Sequence, residues 1–107
     1  MEVSNVIQTK HPEGKKGACI PKQDYFLLSE SILNVLQHVE KLTLNELIDE
    51  VQRQLTFEFA SNMAWRILVV KLDLEAKGII KVVPHKYDRY VVYLKLNRRA
   101  FKKQMAA

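Results

Sequence analysis

One cysteine, three glycines and three prolines in 107 residues leave several kinds of protein out of consideration. A lone Cys19 cannot close an intramolecular disulfide, so the chain has no disulfide framework and suits a reducing compartment. His11, His38 and His85 lie far apart, and Cys19 has no second thiol near it, so no set of metal ligands has the required spacing. Glycine is too scarce for a dinucleotide fingerprint. The loop His11-Pro12-Glu13-Gly14-Lys15-Lys16-Gly17 is turn-rich and basic, but it lacks the G-x-x-x-x-G-K-[ST] spacing and the strand-to-helix setting of a phosphate loop. No apolar run is long enough to span a bilayer, and the N-terminus lacks the apolar centre of a signal peptide. The expectation is a soluble cytoplasmic protein with no membrane partner, no metal and no cofactor.

Signs of catalysis are equally scarce. Ser29 and Ser31 have neither a glycine elbow nor an obvious base. Asp49 and Glu50 are adjacent on a helix and diverge, which makes them a solvated face. No order of nucleophile, base and acid resembles a triad. The sequence therefore reads as a non-enzyme.

What the chain has is positive charge, unevenly placed. The net charge is +5. Residues 23–55 carry two basic and six acidic groups, whereas residues 79–107 carry eight basic groups against Asp88 alone. A basic end beside an acidic middle makes a dipolar molecule that would attract a polyanion and steer its approach. The competing reading is that basic termini serve solubility.

The chain has the length of one domain. Residues 1–20 show no helical period and read as an N-terminal arm, with Val3, Val6 and Ile7 as a possible short strand. A first helix starts near Pro21, whose missing N–H costs nothing at a helix start. Tyr25, Leu28, Ile32, Leu36 and Val39 form its apolar stripe. The second helix opens on a capping box, Thr43-Leu44-Asn45-Glu46, with Leu42 and Leu47 as its hydrophobic staple. Its inner face is Leu44, Leu47, Ile48, Val51 and Leu55. Phe57 and Phe59 read as core plugs, and Ser61 or Asn62 as the cap of a third helix.

The third helix is apolar on more than one side. Trp65, Leu68, Leu72, Ala76 and Ile79 form one stripe, and Ile67, Val70 and Leu74 form a second. We take the first as the core face, which puts Leu72 at the centre of the core. Arg66, Asp73 and Lys77 share a narrow polar stripe, and Val69 and Val70 beside it read as apolar surface suited to a protein partner. Gly78 ends the helix as a left-handed cap, with Ile79 packing back. The period then changes. Residues 79–83 are a short β-branched strand ended by Pro84, and residues 89–96 alternate, with Tyr90, Val92, Leu94 and Leu96 on one face. The connector His85-Lys86-Tyr87-Asp88 is short enough for a hairpin but lacks a turn glycine.

Three helices followed by a hairpin give an α+β winged-helix expectation: arm over 1–20, winged-helix domain over 21–97, basic C-terminal tail over 98–107, the tail being a short helix or disordered. The run VVKLDLEAKGII resembles the end of the third helix and start of the wing in winged-helix proteins. The arm HPEGKKGACIPKQDY with ILNVL, LTLNELIDEV and WRILVVKLDLEAKGII resembles a small family of uncharacterised bacterial winged-helix-like proteins. Winged-helix relatives often bind DNA through the third helix and wing, and many instead serve as protein-interaction or dimerisation modules. The fold together with the charge gives the expectation of a bacterial winged-helix DNA-binding protein, an accessory transcription regulator, with double-stranded DNA as partner. The resemblance supplies no catalytic residue.

In a helix-turn-helix the start of the third helix meets base edges. Asn62 and Arg66 are the readers available there, two being few. Lys81, Lys86, Arg89, Arg98 and Arg99 supply phosphate contacts, with Tyr87 and Tyr93 interleaved among the basic residues. The alternative is a protein-interaction or homodimerisation module that uses the apolar surface of the third helix.

Overall fold

The computed structural model describes residues 6–55 and 63–106. Phe57, Phe59, Ser61 and Asn62 lie outside the described residues, as does Val3. The element order is β1 (Val6–Gln8), β2 (Cys19–Pro21), α1 (Lys22–Gln37), α2 (Leu44–Gln54), α3 (Met63–Ala76), β3 (Ile80–Pro84), β4 (Val92–Leu96) and α4 (Arg98–Ala106). The fold is α+β, with four helices and two small antiparallel hairpins, β1–β2 and β3–β4.

The N-terminal arm is the first hairpin, paired with Ile7 opposite Ile20. Ile20 points inward and is buried, which ties the arm to the domain. Pro21 closes β2 and stands directly before α1, so the proline falls one residue ahead of the helix rather than inside it. In α1, Tyr25, Leu28, Ile32 and Leu36 are buried as their spacing requires, and Val39 packs partly buried beyond the helix end.

The start of α2 carries both arms of its capping box. Thr43 Oγ1 accepts from the Glu46 N–H at 3.2 Å, and Glu46 Oε1 accepts from the Thr43 N–H at 2.9 Å. Two otherwise unpaired donors are satisfied reciprocally. The staple residues Leu42 and Leu47 are both buried. Leu42 also forms a bridge to Leu94, exchanging backbone hydrogen bonds of 3.1 and 2.7 Å, so the segment before α2 pairs locally with β4.

The face α3 buries is not the one expected. Trp65 is 51% exposed and Leu72 only half-buried, whereas Met63, Ile67, Val70 and Leu74 lie in the core. The second apolar stripe points inward; of the first, Trp65 faces out, Leu68, Leu72 and Ala76 are half-buried, and Ile79, beyond the helix end, is in the core. Val69 and Val70, expected on the surface, are buried. The polar stripe explains the rotation: Asp73 is 1% exposed and is turned toward Tyr25 and the arm, where its carboxylate has donors. An ionised carboxylate is buried only with such partners, and turning it inward carries Leu74 and Val70 with it.

The end of α3 follows the expected cap. Gly78 takes φ of +80°, its N–H donates to the Glu75 carbonyl at 3.0 Å, and the Ile79 N–H reaches back to Leu74 at 2.9 Å. Those are the two bonds of a Schellman motif, and φ in this region favours glycine. In the second hairpin Ile80 opposes Leu96, Val82 opposes Leu94 and Pro84 opposes Val92. Strand β4 begins at Val92, later than the alternation suggested. Tyr90, expected on the inner face of that strand, is in the turn and 83% exposed. Asn97 joins hairpin to α4: its Nδ2 donates to the Gly78 carbonyl, and its Oδ1 accepts from the Ala100 N–H as a helix cap.

Candidate nucleic-acid interface

Register puts Lys81 opposite Lys95 and Val83 opposite Tyr93, so these four share one face of the β3–β4 hairpin. Ile80, Val82, Leu94 and Leu96 lie on the other face, where Ile80, Leu94 and Leu96 close the core. The core-facing side fixes the hairpin, and the opposite side becomes a strip of lysine and tyrosine. His85 stacks on Tyr93 with centroids 5.6 Å apart, and Lys41 Nζ stands 4.6 Å over the same ring. Lys41 arrives there because the Leu42–Leu94 bridge brings its segment alongside β4. That pairing joins segments far apart in the chain, so no local pattern pointed to Lys41.

The tip is built without a glycine. His85 Nδ1 accepts from the N–H groups of Tyr87 and Asp88 at 3.0 and 2.9 Å. Asp88 Oδ1 accepts from the Tyr90 N–H at 2.9 Å, and its carbonyl accepts from Val91. Two side chains thus supply the acceptors for the turn. The outcome is two solvent-facing tyrosines, Tyr87 at 84% exposure and Tyr90 at 83%. Each carries a cation: Lys86 Nζ lies 5.5 Å from the Tyr87 ring, and the Arg89 guanidinium 5.1 Å from that of Tyr90. Asp88, the one acid of the hairpin, is occupied by the turn.

The expected contact residues separate into groups. Lys81, Lys86 and Arg89 are exposed on the hairpin. Arg98 and Arg99 are exposed at the start of α4, at the end of the hairpin away from the tip. Arg66 stands apart on α3, where it pairs with Asp24 of α1 at 2.5 Å, both side chains being largely covered. Asn62 lies outside the described residues. The outward side of α3 presents Ala64, Trp65, Leu68 and Leu72 rather than hydrogen-bonding groups. Lys41 and Tyr90 join the hairpin surface without having been expected there. Tyr90 had a signal, since it stands two residues after an aspartate able to bond its N–H.

A separate polar cluster joins the arm, α1 and the end of α3. Asp73 Oδ1 accepts from the Lys10 N–H at 2.9 Å, and Oδ2 accepts from the Tyr25 hydroxyl at 2.5 Å and from Lys77 Nζ at 2.8 Å. Burial by itself would raise the Asp73 carboxyl, but the bonds from Lys77, Tyr25 and the Lys10 backbone outweigh it and hold the group below the usual range. Burial would lower Lys77, yet its bonds to Asp73 and Tyr25 push it up. Tyr25 is raised by burial first and by its bond to Asp73 second. The cluster is fully engaged in holding arm, α1 and α3 together. Among the described residues no group of three or more His, Cys, Asp or Glu is placed to hold a metal ion. Nor is any helix among them long and apolar enough to cross a membrane.

A small α+β domain with a basic, tyrosine-tipped hairpin is the class these features define. The chain belongs to a family of unknown function, DUF6958, which it matches over residues 6–90. No curated protein and no solved structure matches it.

Proposed function

We propose that the chain is a winged-helix-type domain that binds double-stranded nucleic acid through its hairpin, as an accessory DNA-binding protein of low sequence specificity. Three helices, a strand pairing before α2 and a hairpin after α3 support the winged-helix reading. The observation that carries the function is the hairpin's solvent side: Lys41, Lys81, Lys86, Arg89 and Lys95 surround Tyr87, Tyr90 and Tyr93. Lysine and arginine meet phosphate, and exposed tyrosine stacks or wedges against sugar and base. Base reading by α3 has little to rest on, since Arg66 is paired with Asp24 and the outward residues are apolar. Binding is therefore mainly electrostatic.

The test is a titration of fluorescently labelled random-sequence duplex at two salt concentrations. Affinity should fall steeply as salt rises, through counterion release. The double variant Lys86→Glu, Arg89→Glu should lose most of the binding and flatten the salt dependence, with an unchanged circular dichroism spectrum because both residues are exposed. No binding by the parent at low salt, or equal binding by the folded double variant, removes the hairpin from the mechanism. The second reading, a protein-interaction module, is favoured by one observation: the outward stripe of Trp65, Leu68 and Leu72 on α3.

A further inference from the structure

A cleft of about 170 Å³ lies between the loop of the β1–β2 hairpin and the outward side of α3. The helix lines it with Trp65, Val69 and Leu72 and the loop with Thr9, Gly17 and Ala18; Lys10, His11 and Lys16 also border it, and the two lysines, being exposed, mark its mouth. The loop is clamped in place. Thr9 N–H donates to the Ala18 carbonyl at 2.8 Å, and Ala18 N–H donates to Thr9 Oγ1 at 2.9 Å. The next residue, Lys10, donates its N–H to buried Asp73 on α3. Gly17 permits this closure, since a Cβ there would stand 2.0 Å from the Thr9 carbonyl oxygen. The loop wall is thus fixed against the helix before any ligand arrives.

We propose that this cleft docks an acidic peptide segment that presents one large apolar side chain. The volume selects the class, because pockets for cofactors and drug-sized ligands run to roughly 300–1,000 Å³. A single anchoring side chain is what about 170 Å³ holds. The floor is aliphatic and aromatic, so the anchor is apolar. The charge of the mouth selects the rest of the partner. Lys15 is paired with Glu13 at 3.1 Å, but among the described residues neither the Lys10 nor the Lys16 ammonium is paired with a carboxylate. Asp73, the nearby acid, is buried and occupied. Carboxylates flanking the anchor would meet those two lysines and His11. A second copy of the chain docked through the same face would set one basic mouth against another, which disfavours a symmetric dimer here.

Trp65 is the chain's one tryptophan and half its surface is open, so its emission reports directly on the cleft. A random peptide library displayed on phage is selected on the full chain, and the winning sequence is synthesised and titrated while Trp65 fluorescence is followed. We expect a consensus of one bulky apolar residue among Asp and Glu, and a saturable blue shift. Lys10→Glu with Lys16→Glu, both exposed and compatible with the fold, should weaken binding by at least about tenfold, since like charges then face each other. Lys86→Glu with Arg89→Glu should leave it unchanged, which separates this site from the hairpin. Failure to select a peptide, a basic consensus, or equal binding by the Lys10/Lys16 variant overturns the proposal. A shift produced by oligothymidylate instead of peptide also overturns it and makes the cleft a nucleic-acid site.

Discussion

Three donors converge on the Asp73 carboxylate: from the arm, from α1 and from Lys77, the residue after its own helix. Its inward role was not legible in the sequence, where it reads as one acid on a polar stripe with Arg66 and Lys77. The partner that decides its direction, the Lys10 N–H, is 63 residues away and is a backbone group, invisible to any residue pattern. Replacing Asp73 by alanine should cost about 3 kcal/mol, because it leaves the Tyr25 hydroxyl and the Lys10 N–H without their acceptor in a covered site. The pH dependence follows from the directions of shift. Asp73 is held below its ordinary pKa, so its contribution is present above the unfolded carboxyl value near 4 and is lost as pH falls through the lower folded value. Tyr25 and Lys77 are raised, so theirs is present below the unfolded values near 10 and is lost as pH rises through the folded ones. Chemical denaturation across pH should show a plateau bounded on both sides. In the Asp73→Ala protein the acid limb should be shallower; an acid limb unchanged from the parent would mean other carboxylates set it.

At the scale of elements, a helix with clear polar and apolar sides can be read, and one without cannot. Helix α2 was legible in full, because Thr43 and Glu46 mark its start and Leu47 and Val51 are flanked by charge. Thr43→Ala should therefore lose about 1 kcal/mol, and a variant as stable as the parent would show the cap to be idle. Helix α3 carries two interleaved apolar stripes, and periodicity does not rank them. Packing does: Leu74 is 2% exposed and Leu72 half-buried. Leu74→Ala should cost about 2–5 kcal/mol, Leu72→Ala no more than about 1 kcal/mol. Urea melts of the two variants side by side check the rotation of the helix, and equal losses would refute it. The hairpin was legible in its pairing but not in its length, because Asp88 and His85 extend the turn through side-chain acceptors and delay β4 to Val92. The cap of α4 could have been read, since Asn97 stands three residues before the N–H it accepts from.

Over the whole molecule the acidic groups gather on α1 and α2 and the basic ones on the hairpin and α4, so the uneven charge of the sequence becomes a difference between elements. What sequence alone could not reveal is how far the basic strip extends. Helix α4 begins at the base of the hairpin, anchored there by Asn97 on Gly78 and held against the core by Phe101. Arg98 and Arg99 therefore stand exposed at the base of the hairpin whose tip carries Lys86 and Arg89. If a duplex bound along the hairpin reaches its base, the first turn of α4 meets it there. Replacing Arg98, Arg99, Lys102 and Lys103 by glutamine should then lower affinity for random duplex. It should also reduce the slope of log affinity against log salt by about 0.9 for each phosphate that α4 neutralises in the parent. Phe101 remains in the variant, so the helix stays docked and circular dichroism should be unchanged. The outcomes differ in kind. A smaller slope with α4 intact places the helix on the nucleic acid beside the hairpin. An unchanged slope confines binding to the hairpin and leaves the charge of α4 to general solubility.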